Sequence, residues 1–213
     1  MIARLGGLMA LADDAPNWKI DPVGQARAAC EGGASVVQLR AKRATDPVTL
    51  EWAEAIREIT RAFEVGFFVN DRFDLALAAE ADGVHLGQDD LPPARIPTLA
   101  RSRLLVGRST HSLEQALAAC EEPVDYIAFG PIFATQSAAS RRDPRGVEQL
   151  AEVVRAVQPR PVIAIGGIDL GNAARVAETG VAGIAVISAI AEAADPRRAA
   201  RALAEILRER GGA

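Results

Sequence analysis

The sequence predicts a single-domain α/β chain folded as a (β/α)8 TIM barrel over residues 1–213. Three observations carry that prediction. Eight short apolar, β-branched runs recur along the chain, and each is followed by a segment with helical period. The repeat averages about 27 residues, at the lower end of the size range for such barrels. The runs are also too uniformly apolar for a sheet with one wet face, which fits strands buried on both sides. A doubly wound open sheet is the competing architecture. With 49% hydrophobic and 24% charged residues and no compositional break, the chain has enough apolar material for one core.

The elements follow in order. LGGLMALA (5–12) reads as the first strand, with a helix near 22–32. SVVQLR (35–40) leads into DPVTLEWAEAIREITRAF (46–63), the clearest helix. Its period puts Trp52, Ile56, Ile59 and Phe63 on one face and Glu51, Glu54, Arg57, Glu58 and Arg61 elsewhere. FFVN (67–70) and GVHLG (83–87) precede helices at 73–80 and 93–101. LLVG (104–107) precedes a helix at 112–121, where Ser112-Leu113-Glu114-Gln115 has the spacing of a capping box. After YIAFG (126–130), a polar, small-residue loop from Thr135 to Gly146 leads to a helix at 146–157. PVIAIGG (161–167) and GIAVISA (183–189) precede the last helices, at 171–179 and 196–209.

Composition excludes several function classes. A formal net charge of −4 without a Lys/Arg-rich run argues against a nucleic-acid surface, which needs clustered positive charge. Phosphate ligands, if bound, are small ones. Cys30 and Cys120 are isolated and read as reduced, structural thiols, in keeping with a cytoplasmic location. The opening MIARLGGLMALADD lacks the charged region, apolar core and cleavage site of an export signal, and no apolar stretch approaches the length of a membrane span. The expected partners are small-molecule substrates, with no nucleic acid and no membrane; a homo-oligomer is compatible with the sequence.

In a barrel of this kind chemistry gathers at the carboxyl ends of the strands. After the second run, the strand alternation sends Gln38, Arg40 and Lys42 to one side, and Val37, Leu39 and Ala41 toward the helices. Two inward cations are costly without an anion, so they suggest a phosphate or diphosphate clamp, with Gln38 free to read a heterocycle edge. Asn70 and Asp71 close the third run and Asp90 lies just beyond the fourth. Adjacent strand ends bring Asp71 and Asp90 close enough to share Mg2+, which takes one or two protein carboxylates plus water and substrate phosphate. Asp89 is an alternative ligand or a helix cap, and Asp71 is alternatively the cap of the helix near Phe73.

Gly107 after the fifth run would let backbone approach a ligand, and Ser109 can donate to an oxyanion. His111, beside a helix start, is either a proton shuttle or structural, whereas His85, inside an apolar strand, reads as a hydrogen-bonded core residue. The sixth run ends in a turn presenting Thr135 and Ser137, with Arg141, Arg142 and Arg145 beyond. Gly166, Gly167, Ile187 and Ser188 close the last two strands as a phosphate site of many such barrels would.

Five motifs together resemble the thiamine phosphate synthase family over nearly the whole chain: QLRAK (38–42), NDRFDLALAAEADGVHLGQDD (70–90), GRSTHS (107–112), DYIAFGPIFAT (125–135), and AIGGI with VISAI (164–168 and 186–190). The resemblance implies a transferase that joins hydroxymethylpyrimidine diphosphate to a thiazole phosphate, or its carboxylated form, giving thiamine phosphate and pyrophosphate. It also implies Mg2+ on Asp71 and Asp90 and diphosphate on Arg40, Lys42 and Asn70. Gln38 and Ser109 would meet the pyrimidine, and Thr135, Ser137, Gly167, Ile187 and Ser188 the thiazole phosphate. Arg40, Lys42 and Ser109 would then be the catalytic groups of a dissociative reaction that needs no protein nucleophile.

Two positions depart from the family pattern. Where the family usually reads Thr-x-Thr-Lys, this chain has Thr135-Gln136-Ser137-Ala138, which removes a cation from the diphosphate unless Arg141 or Arg142 replaces it. Met9 also stands where an aromatic residue is common. Two further readings compete with the synthase: the related thiazole tautomerase, a metal-independent isomerase that would use His111, and a non-catalytic binding protein for thiamine precursors.

Overall fold

The structure, a computed structural model, describes residues 5–135 and 143–210. Eight parallel strands close into a barrel in chain order. They are β1 (Gly7–Asp13), β2 (Val36–Arg40), β3 (Gly66–Asn70), β4 (Gly83–Leu86), β5 (Leu105–Thr110), β6 (Tyr126–Phe129), β7 (Val162–Ile165) and β8 (Gly183–Val186), and β8 pairs with β1 to complete the ring. The helices are α1 (Pro22–Glu31), α2 (Asp46–Ala62), α3 (Phe73–Ala78), α4 (Thr98–Arg101), α5 (Leu113–Cys120), α6 (Gly146–Ala156), α7 (Ala173–Ala177), α8 (Ser188–Ala191) and α9 (Pro196–Arg210), with a 3₁₀ turn at Pro93–Arg95. The (β/α)8 barrel is therefore correct, and the open sheet is not. No described helix is long and apolar enough to cross a membrane.

Strand alternation divides the core in two. Val37, Leu39, Phe67, Val69, Val84 and Leu86 face outward and pack against the helices. Met9, Leu11, Val36, Phe68, Tyr126, Ile163 and Ala185 fill the barrel interior. Each fully buried large apolar side chain in these layers contributes about 1.5–3 kcal/mol relative to exposure, so the two layers dominate the fold's stability.

Local signals explain the helix starts. Asp21 caps α1 by accepting from the Gly24 N–H at 2.7 Å, and Pro22 fits the first turn, where its missing N–H costs nothing. Ser112 caps α5 by accepting from the Gln115 N–H at 3.2 Å, while Gln115 Oε1 reaches back to the His111 N–H at 2.8 Å. The expected capping box thus closes one residue earlier than its usual form.

Three element readings need correction. Phe63 is 43% exposed, because it follows the last residue of α2; Thr49, Ala53 and Thr60 accompany Ile56 and Ile59 on the buried face. The segment expected as one helix at 93–101 breaks into a 3₁₀ turn and α4, since Pro97 cannot continue a helix from Ile96. The eighth strand stops at Val186, and Ser188 opens α8 instead of closing the strand.

Candidate active site

The carboxyl ends of the strands surround one cavity. Gln38, Arg40, Asn70, Ser109, Thr135, Gly167, Ile187 and Ser188 all line it. A second, wider pocket adjoins it through Arg40, Thr135, Gly167, Ile168 and Ser188, and Lys42 lies there with Arg43, Asp14 and Trp18. Ser137 lies outside the described residues, as do Gln136, Ala138, Arg141 and Arg142.

Neither Arg40, which ends β2, nor Lys42, just beyond it, is bare. Arg40 Nη1 pairs with Asp13 Oδ2, and Asp13 is almost fully buried. Its other oxygen accepts from Trp18 Nε1 at 2.6 Å and from the Ala15 N–H at 3.0 Å. The Asp13 backbone is fastened in turn by Gln25, whose Oε1 accepts from the Asp13 N–H at 3.0 Å and whose Nε2 donates to the Asp13 carbonyl at 2.9 Å. Lys42 Nζ pairs with Asp71 Oδ2. The β2–α2 loop is clipped to the β1–α1 loop by Asp14, which accepts from the N–H groups of Lys42, Arg43 and Ala44 at 3.0, 2.7 and 2.9 Å. Burial alone would raise the Asp14 carboxyl, but these three N–H groups and the Arg43 charge outweigh it and hold the group below the usual carboxylate range.

Asp71 sits at φ +65°, a left-handed conformation tolerated by Asp, and its N–H donates to the His85 carbonyl at 2.7 Å. It caps no helix: α3 begins after Arg72 without a side-chain cap. Asp90 Oδ2 accepts from the Gly87 N–H at 2.6 Å, and the Asp71 and Asp90 carboxyls lie close enough to shift each other's ionisation. Burial first, and then Asp90, push the Asp71 carboxyl up. Asp90 is also raised by burial, but Asp71, the Gly87 hydrogen bond and the Lys42 charge bring it below the usual range. Two neighbouring carboxyls that act on each other in a half-buried setting favour either a shared proton or a cation between them. Their all-oxygen donor set fits a hard cation such as Mg2+. Among the described residues no cluster of three or more His, Cys, Asp or Glu exists, so such an ion would need water or substrate oxygens to complete its shell. Asp89 is exposed.

The Asp90 loop is gripped from β5. Buried Arg108 donates from Nη1 to the Gly87 carbonyl at 2.5 Å, and its Nε lies 3.2 Å from Glu122 Oε2 as an ion pair without hydrogen-bond geometry. Gln88 Nε2 donates to the Ser109 carbonyl at 2.5 Å.

Ser109 is held from below as well. His85 Nε2 lies 2.8 Å from Ser109 Oγ, and His85 Nδ1 lies 2.8 Å from the Tyr126 hydroxyl. His85 is therefore the buried, hydrogen-bonded residue expected, but it also lines the cavity. Burial lowers its pKa to about 4; Asp90 opposes this and Arg108 adds to it. Gly107 plays a different part from the one expected. A Cβ there would meet Tyr126 Cζ at 2.1 Å, so its missing side chain makes room for the tyrosine ring and not for a ligand. His111 is not among the cavity residues; its Nδ1 contacts the Gly130 carbonyl at 2.6 Å.

Opposite this wall, Gly167 has φ +65° and a Cβ there would lie 2.5 Å from the Ala134 carbonyl, so only glycine allows β7 and the β6–α6 loop to meet beside Thr135. Met9 lines the cavity too, 3.5 Å through its sulfur from Gln38 Nε2.

Asp13, Asp14 and Trp18 line the wider pocket, Gln25 and Tyr126 support the site from behind, and none of the five stands out in the sequence. Asp13 had a signal: it closes the first strand, one residue past the boundary read from hydropathy. Tyr126 had none, since an apolar strand hides which ring faces inward.

Residues 8–190 match the family model described as thiamine monophosphate synthase. The chain is 50% identical over 198 residues to the thiamine-phosphate synthase of Anaeromyxobacter dehalogenans, covering 93% of this chain and 86% of that protein. It is 43% identical over 204 residues to the thiamine-phosphate synthase of Thermus thermophilus, covering 95% and 98%. The solved thiamine phosphate pyrophosphorylase of Pyrococcus furiosus superposes with a TM-score of 0.88 at 39% identity, covering all of both chains.

Proposed function

Because the chain belongs to the thiamine monophosphate synthase family, an enzyme class that joins a pyrimidine to a thiazole, we propose that it performs this joining as a Mg2+-dependent alkyl transfer from hydroxymethylpyrimidine diphosphate to a thiazole phosphate. The observation that supports this most directly is the grouping of Arg40, Asn70, Gln38 and Ser109 in one cavity beside the Lys42–Asp71–Asp90 cluster.

In this reading Arg40, Lys42 and Asn70 hold the diphosphate, with Arg40 aimed by Asp13. Asp71 and Asp90 hold Mg2+, which supplies charge neutralisation on the departing diphosphate. Gln38 and Ser109 orient the pyrimidine; Thr135, Ser137, Gly167, Ile187 and Ser188 take the thiazole phosphate, whether or not the thiazole is carboxylated. The carbon–oxygen bond breaks with its electron pair leaving on pyrophosphate. The electron-rich ring supports the positive methylene, and the thiazole nitrogen lone pair forms the new carbon–nitrogen bond. The protein supplies positioning and fixed charge, and neither cysteine lines the cavity to act as a nucleophile.

The test is to incubate the purified protein with both precursors, first with Mg2+ and then with excess chelator, and to follow thiamine phosphate and pyrophosphate. Metal-dependent formation of both is the expected result. Equal turnover with chelator would reject the metal role; thiazole isomerisation without pyrophosphate would reject the transfer in favour of the isomerase.

A further inference from the structure

Three neighbouring strands present one row of register partners toward the barrel interior: His85 on β4 opposite Gly107 on β5, and Gly107 opposite Tyr126 on β6. Because the middle position has no side chain, the outer two meet across it. The Tyr126 ring is fully buried, lies 5.5 Å from the His85 ring, and is backed edge-on by Phe68 at 5.9 Å. At the far side of the imidazole, Ser109 Oγ faces the cavity.

Hydrogen-bond satisfaction fixes the direction of this chain. A buried phenol must place its proton on an acceptor, and His85 Nδ1 is the hydrogen-bond partner of the Tyr126 hydroxyl among the described residues. Nδ1 is then the unprotonated nitrogen, so a neutral imidazole carries its proton on Nε2. That N–H points at Ser109 Oγ and occupies one of its lone pairs. The opposite tautomer would set two N–H and O–H protons against each other at Tyr126 or leave the phenol proton without an acceptor.

We infer that Tyr126 and His85 are positioning residues that turn the Ser109 hydroxyl proton away from the imidazole and into the cavity, where it meets a substrate acceptor such as a ring nitrogen or a diphosphate oxygen. The kinetic consequence rests on the synthase reading; the direction of the hydrogen bonds does not. An enzyme built this way has oriented its serine before substrate enters.

The chain has only two histidines, which makes the direct measurement practicable. Protein labelled with ¹⁵N-histidine, compared with a His111→Gln variant to assign the signals, reports the protonation of each His85 nitrogen. A protonated Nε2 and a bare Nδ1 are expected; a protonated Nδ1 overturns the inference whatever the enzyme's activity. In the second arm Tyr126→Phe removes only the hydroxyl. It is expected to lower kcat/KM for the pyrimidine diphosphate by about 10-fold or more, to leave KM for the thiazole phosphate within about twofold, and to mix the two His85 tautomers in the spectrum. Unchanged kinetics in a folded Tyr126→Phe protein would reject the positioning role. If that variant does not fold, the wild-type spectrum still decides the direction.

Discussion

Asp13 and Arg40 are direct register partners at the carboxyl ends of β1 and β2, and their side chains form the ion pair on which the inner wall of the cleft rests. The carboxylate is 2% exposed and the guanidinium 19%, so the pair is shielded on one side and open to a ligand on the other. Asp13→Asn would keep the shape and leave the guanidinium without its counter-charge. The expected loss is about 2–3 kcal/mol in urea unfolding, below the range for fully buried pairs because Arg40 retains some water. An unchanged midpoint would show that solvent alone satisfies Arg40.

Asp90→Asn is expected to act on the metal and not on the fold. An asparagine oxygen can still accept the Gly87 N–H, and the substitution relieves the crowding of two carboxyls. Outer-shell changes already weaken metal sites by about 10- to 100-fold, so removing a ligand charge should raise the Mg2+ concentration for half-maximal turnover by about 100-fold. The thermal midpoint should stay near that of the wild type. A Mg2+ titration that superposes on the wild-type curve would remove Asp90 as a ligand.

Gly107→Ala should be among the most damaging single-methyl additions in the barrel. The new Cβ would fall 2.1 Å from Tyr126 Cζ, and the ring is boxed in by Phe68 and His85. Overpacking of this kind typically costs about 1–3 kcal/mol, and the rigid surroundings favour the upper end. Denaturant unfolding measures it, and a loss below about 0.5 kcal/mol would mean that the strand can shift to absorb the methyl.

Acid should weaken the protein in a window set partly by His85. Its folded pKa, about 4, lies below the ordinary 6.5, so the proton prefers the unfolded chain. The stability tied to neutral His85 is complete above pH 6.5 and is lost as pH falls from there toward 4. Over that interval the loss approaches about 3 kcal/mol. Unfolding curves at pH 7.5, 5.5 and 4.5 should therefore be steeper in pH for the wild type than for His85→Gln; parallel curves would show that His85 remains charged inside the barrel.

The barrel was legible because buried parallel strands leave uninterrupted apolar runs, and alternation placed Gln38 inward and Val37 and Leu39 outward as found. The proximity of Asp71 and Asp90 also followed from adjacent strand ends. What hydropathy could not show was the packing between strands. Gly107 looked like an opening for a ligand because glycine reports only that something comes close; the structure shows that the neighbour is Tyr126. Asp13 is silent in hydropathy because an acidic residue marks the end of an apolar run whether it faces water or a buried arginine. Hydropathy runs two or three residues past the strand ends at β7 and β8, where glycines at positive φ and the start of α8 end the extended backbone despite apolar neighbours.

The three N–H bonds that Asp14 draws from Lys42, Arg43 and Ala44 also bear on the thermodynamics of ligand capture. A loop offering two cations would ordinarily lose its freedom at the moment an anion binds, and part of the attraction would be cancelled by that ordering. Here the backbone entropy is surrendered when the barrel folds. The cations therefore stand on backbone already held by Asp14, and an anion binding there would have only their side chains left to order.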